Sequence, residues 1–157
     1  MQFSSVQDIN APLDFVFDQV TDFETYESYA LRVGAQVDRK DKLTSPGPGM
    51  KWKVVGDFRG KTRKVNMELI EYNPHSFVKF FVVSGGLEAD VDIETMALTR
   101  KQSRMKVTTK LKPKTISARL ILQSARLAKT SLNRKFNHRF WNYANYIENN
   151  YNKSRRA

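Results

Sequence analysis

The chain has 157 residues, with 27 Lys and Arg against 16 Asp and Glu, a net charge of +11. The length fits a single domain over residues 1–157, and the cationic excess points to an anionic partner or a strongly charged local surface. With no cysteine, disulfides, thiolate metal sites and cysteine nucleophiles are excluded. No apolar run approaches the ~18 residues of a membrane span, and residues 1–10 lack the basic-then-apolar order of a secretory leader. A cytoplasmic protein is therefore expected.

Residues 1–9 predict a strand, with Phe3, Ser5, Gln7 and Ile9 on one face. Asn10-Ala11-Pro12 then starts a helix, because proline is tolerated in a first turn. Phe15, Val16, Phe17 and Val20 follow at helical spacing. Thr21-Asp22 caps a second short helix carrying Phe23, Tyr26, Tyr29 and Ala30, and Gly34 ends it. Residues 35–112 read as a run of strands. Ser45-Pro46-Gly47-Pro48-Gly49 is a loop. Met50, Trp52, Val54 and Phe58 share one parity, opposite Lys51, Lys53, Asp57 and Arg59. Arg59-Gly60-Lys61 makes a hairpin turn, and Val65, Met67 and Leu69 return. After Asn73-Pro74-His75, Val78, Phe80 and Val82 form one strand face and Phe77, Phe81 and Val83 the other.

The next hairpin has the cleanest alternation. Leu87, Ala89, Val91, Ile93 and Thr95 alternate with Glu88, Asp90, Asp92 and Glu94, and Met105, Val107, Thr109 and Leu111 with Arg104, Lys106, Thr108 and Lys110. A turn near Lys101-Gln102 puts the acidic and basic series on one outer face, as a cross-strand charge ladder. Pro113 stops the sheet. Residues 116–151 predict one long helix whose apolar stripe is Ile121, Ala125, Ala128, Leu132, Phe136, Phe140, Tyr143 and Ile147. A helix of that length would span roughly 50 Å, so a kink is expected near Ser131–Asn133, where propensity drops. Residues 152–157 are expected to fray as a basic tail.

Parity turns Trp52, Val54, Phe58, Met67, Leu69, Phe80, Val82, Val91, Met105 and Val107 inward, with Phe23, Tyr26 and Tyr29 covering one mouth. Thr95 and Thr109 share the inward parity, either as polar anchors for a ligand or as partners of one another. Catalytic constellations are nearly absent. His75 lies in a turn and His138 in the basic part of the last helix, too few for a His-rich metal site. No nucleophile elbow or phosphate loop is present. No catalytic residue, metal or cofactor is expected.

The order of strand, two short helices, about six antiparallel strands and a long helix is an α+β arrangement. It resembles the SRPBCC superfamily, which includes START, birch-pollen-allergen-like, polyketide cyclase/dehydrase and coenzyme-Q-binding-like proteins. The resemblance runs through Ile9-Asn10-Ala11-Pro12, Val16-Phe17, Thr21-Asp22-Phe23, Pro48-Gly49-Met50-Lys51-Trp52, Phe58-Arg59-Gly60-Lys61, Leu111-Lys112-Pro113-Lys114 and Tyr146-Ile147-Glu148. It implies a helix-grip fold: a curved antiparallel sheet of about seven strands around the C-terminal helix, with a cavity between them for a hydrophobic or amphipathic molecule, lipid- or isoprenoid-like. It implies a carrier as the main reading and leaves open a cyclase/dehydratase-like enzyme, because this fold hosts several activities; the charge adds a basic interaction module as a further alternative.

The charge is unevenly divided. Residues 1–31 hold six acids and no Lys or Arg, whereas residues 99–157 hold 16 basic residues and one acid, Glu148. Arg119, Arg126, Lys129, Arg134, Lys135 and Arg139 are expected to ring the outer side of the last helix. There they could meet an anionic membrane peripherally or balance the acidic short helices. RNA stacking on Trp141, Tyr143 and Tyr146 is the weaker reading, and the same aromatics could form a homodimer seam.

Overall fold

The computed structural model describes residues 1–156. β1 (Gln2–Ile9) leads into α1 (Leu13–Val20) and α2 (Phe23–Arg32). Then come β2 (Gln36–Arg39), β3 (Lys51–Phe58), β4 (Lys61–Asn73), β5 (Phe77–Ser84), β6 (Leu87–Thr99) and β7 (Gln102–Pro113). α3 (Ile116–Leu127) and α4 (Lys129–Ser154) close the chain. The strands form one antiparallel sheet in the order β1-β7-β6-β5-β4-β3-β2. All neighbours but β1 and β7 are consecutive in sequence, which suits short hairpin connections.

Alternation works here because one sheet face is covered. In β7, Ser103, Met105 and Val107 are buried while Arg104 and Lys106 between them are exposed. The covered face meets α1 and α4 in a core that includes Ile9, Val16, Leu69, Val78, Met105, Val107 and Ile147. α4 lies along β1: the Ser5 hydroxyl donates to Asn137 Oδ1 at 2.6 Å, and Glu148 accepts from the Asn10 amide at 2.8 Å. Phe3 and Phe136 meet at 5.9 Å on the same seam. The Asp22 side chain caps α2 by accepting from the Thr25 amide. The β3–β4 hairpin turns on Arg59 (φ 51°) and Gly60 (φ 75°), the positive pair that a two-residue hairpin demands.

The outer face carries the expected ladder, with a diagonal offset. Asp90 faces Lys110 in register but pairs with Lys112 at 2.9 Å, and Glu88 reaches Lys114 at 3.7 Å. Asp8 on β1 makes a two-pronged pair with Arg104 on β7.

The C-terminal third departs from expectation in three places. The helix is not continuous with a kink at Ser131–Asn133; it is two helices broken at Ala128 (φ −104°, ψ 16°). Alanine is the best helix former, so propensity does not place the break. It lies between two anchored ends. α4 is fixed on β1, and the start of α3 is fixed on the β5–β6 turn, where the Lys114 amide donates to the Gly86 carbonyl at 2.7 Å. The apolar stripe fails only in its first half: Ile121 and Ala128 are exposed and Ala118 and Leu122 are the buried residues of α3, whereas Phe136, Phe140, Tyr143 and Ile147 of α4 pack on the core. At the other end, α4 extends through Ser154, three residues past the expected end at Tyr151, while Ala157 lies outside the described residues.

Candidate ligand cavity

Because α4 lies along β1, much of the β1–β7 side of the covered face, including Met105 and Val107, is packed core. The space left over is displaced toward β2–β6, beneath α2. There a cavity of ≈ 480 Å³ opens to solvent. Its wall comes from Val37 on β2, Trp52 and Val54 on β3, Met67 on β4, Phe80 on β5 and Val91 and Ile93 on β6. Helices close it: Val20 from α1, Phe23, Tyr26, Glu27 and Ala30 from α2, and Phe140 and Tyr143 from α4.

The residues of α2 follow its geometry. Phe23, Tyr26, Glu27 and Ala30 are spaced i, i+3, i+4, i+7 and share one face. Tyr29 is off that series and is 60% exposed, so it does not cover the mouth. Phe23 sits edge-on to Trp52 at 5.2 Å and to Phe80 at 6.0 Å, forming an aromatic corner at the back of the cavity.

Several residues with inward parity lie elsewhere. Phe58 is 58% exposed, because the hairpin tip extends beyond anything that could cover it. Leu69, Met105 and Val107 are fully buried in the packed core and do not reach the cavity. Val82 also packs against the core, off the cavity wall. Thr95 and Thr109 are not partners: Thr95 faces Met105, and Thr109 faces Val91. The Thr95 hydroxyl donates to the His75 carbonyl at 3.1 Å, and neither threonine lines the cavity. Val20, Glu27, Ala30, Val37, Ile93, Phe140 and Tyr143 were not foreseen. Ile93 shares the parity of Val91 and was legible on that signal alone; the residues of α4 depended on how the helix docks.

The few polar groups at the cavity are already engaged. Tyr26 and Tyr143 both donate to the Gln19 carbonyl, at 2.8 and 3.4 Å. Burial raises the Tyr143 phenol well above the ordinary tyrosine range, with smaller contributions from Tyr146 and Asp22, so it stays neutral. Glu27 accepts from the Trp52 indole N–H at 2.7 Å and lies 3.6 Å from Arg39. The Arg39 guanidinium stands 5.5 Å from the Trp52 ring centre and grips Asp41 through two hydrogen bonds, at 2.7 and 2.9 Å. Asp41 also accepts from the Lys51 and Leu43 amides. The Arg39 hydrogen bonds, helped by those two amides, hold its carboxyl far below the usual range, against the opposing effect of burial. Glu27 thus gives an otherwise apolar lining a fixed polar edge, held by Trp52 on the wall and by the Arg39–Asp41 pair off the lining. Among the described residues no group of His, Asp or Glu is arranged to hold a metal.

No family model and no curated protein matches the chain in sequence. Solved structures are similar to it in fold. The Zhui aromatase/cyclase from Streptomyces sp. R1128 matches with a TM-score of 0.67 over 100% of this chain and 96% of its own, at 12% identity. The chain has a helix-grip fold. Ara h 8.0201 has a TM-score of 0.62 at 14% identity, over 94% of this chain and 97% of its own. A START superfamily protein from Mycobacterium smegmatis has a TM-score of 0.56 at 10% identity, over 85% and 95%. These neighbours bear out the SRPBCC resemblance as a likeness of fold. At such identities it is the helix-grip architecture that is shared, and chemistry has to be argued from the cavity.

Proposed function

We propose that this helix-grip protein binds a hydrophobic or amphipathic small molecule, lipid- or isoprenoid-like, between its sheet and α4. The observation that carries the reading is the ≈ 480 Å³ cavity with an aliphatic and aromatic wall and one polar edge. Ligand sites are commonly concave, mostly apolar and furnished with a few placed polar groups. An apolar chain or ring system would lie against Val54, Met67, Val91 and Ile93, and a polar head would face Glu27 and Tyr26. The aromatase/cyclase neighbour makes an enzyme the alternative. Holding a ligand is the better reading, because both tyrosine hydroxyls of the cavity already donate to the Gln19 carbonyl. General acid catalysis would need such a proton aimed at the ligand.

Native mass spectrometry of freshly purified protein tests this. The expected result is a noncovalent adduct that organic extraction releases as an apolar small molecule. A protein that carries no adduct, and acquires none when mixed with fatty acids or isoprenoid alcohols, would overturn the reading.

A further inference from the structure

α3 buries one face and leaves the opposite face bare. Ala118 and Leu122 are buried toward the body of the protein. Ile116, Leu120 and Leu127 are 78%, 58% and 93% exposed. At about 100° per residue these three fall within an arc of about 40°, roughly opposite the buried pair. Scattered single apolar residues are ordinary on a surface, but a ridge of three large aliphatic side chains along one helix is not.

The charge around this ridge has one sign. Arg119 and Arg126 line one side of it on the helix, and Lys129 follows at the break. Residues 99–147 contain no carboxylate side chain. The expected balancing of this charge by the acidic short helices does not occur: among the described residues no ion pair joins α1 or α2 to α3 or α4. The acids of the N-terminal part that are paired use Arg104 and Arg39 instead. Beside the α3–α4 break lies a second hollow of ≈ 340 Å³, with Phe3, Leu132 and Phe136 at its base and the exposed cations Arg59, Lys135 and Arg139 around it.

We propose that α3, with the adjoining α3–α4 break, docks into the interface of an anionic phospholipid membrane. An aliphatic ridge set among cations is the composition of an interfacial helix. Each basic residue near an anionic leaflet adds attraction. A second copy of this chain fits poorly, since a self-pair would bring Arg119 and Arg126 against their own equivalents. RNA fits poorly as well, since Ile116, Leu120 and Leu127 offer no ring for a base to stack on. The proposal stands apart from the cavity: membrane docking would hold even if the cavity bound nothing, and the reverse is equally so.

The test is co-sedimentation of the full chain with phosphatidylcholine vesicles, with and without phosphatidylglycerol. Binding is expected only with phosphatidylglycerol and is expected to weaken with added salt. The exposed-site triple variant Ile116→Ser, Leu120→Ser, Leu127→Ser and the double variant Arg119→Glu, Arg126→Glu are each expected to weaken it by about tenfold or more. Both should keep the wild-type circular dichroism spectrum and the wild-type affinity for a cavity ligand. Equal binding with or without phosphatidylglycerol would overturn the proposal. So would unchanged binding by the triple variant, or a shift from dimer to monomer on the same substitutions, which would assign the ridge to a second copy.

Discussion

Asp41 shows how a residue off the cavity lining bears on one that forms its wall. It orients Arg39, which in turn lies over Trp52, whose indole N–H is held by Glu27. The folded chain holds the Asp41 carboxyl below its ordinary value of 3.8. A depressed carboxylate contributes stability that is present above the unfolded value and is lost as pH falls toward the folded one. In urea unfolding, wild type is therefore expected to exceed Asp41→Asn above pH ~5, with the gap narrowing as pH falls below about 4. A gap that does not vary with pH would show that the carboxylate charge is not what holds Arg39. Trp52 was legible in the sequence as an inward residue. Its partners were not, since Glu27 and Arg39 read locally as solvated charges on a helix and an edge strand. Only tertiary placement makes them a pair.

Among the elements, the strands and α4 are legible in the sequence, whereas α3 and its break from α4 are not. The β6–β7 alternation survives because the face it predicts is covered along most of its length. Phe58 obeys the same rule and fails, because parity says which way a side chain points and not whether anything lies there. The α3–α4 break was missed for a related reason: it is set by anchors at both ends rather than by a weak helix former. One anchor is Gly86. A Cβ at that position would run into the side chain of Thr115, including Oγ1, which accepts from the Ala118 amide and caps α3. Gly86→Ala is expected to cost about 1–3 kcal/mol, as overpacking usually does. Adding Thr115→Ala should recover part of it, although that change alone loses a cap worth about 1 kcal/mol. Chemical denaturation of the two single variants and the double variant checks this coupling. Purely additive losses would mean that Thr115 does not rest on Gly86.

For the molecule as a whole, the placement of α4 decides where the empty space is. By lying along β1 it fills one side of the grip and leaves the other open beneath α2. Hence Met105 and Val107 are core, whereas Val91 and Ile93 on the neighbouring strand face a cavity. The charge division seen in the sequence also changes meaning at this scale. Among the described residues no ion pair joins the acidic N-terminal helices to the basic C-terminal ones, and Arg119, Arg126, Lys129, Arg134, Lys135 and Arg139 are exposed. The central claim is that the cavity holds an apolar ligand, and titration with an environment-sensitive fatty-acid probe tests it most directly. Saturable one-to-one binding is expected, competed by unlabelled lipid, lost in Val91→Phe, whose ring would occupy the space, and kept in Phe58→Ser at the exposed hairpin tip. A signal that never saturates, or that Val91→Phe leaves unchanged, would contradict the account.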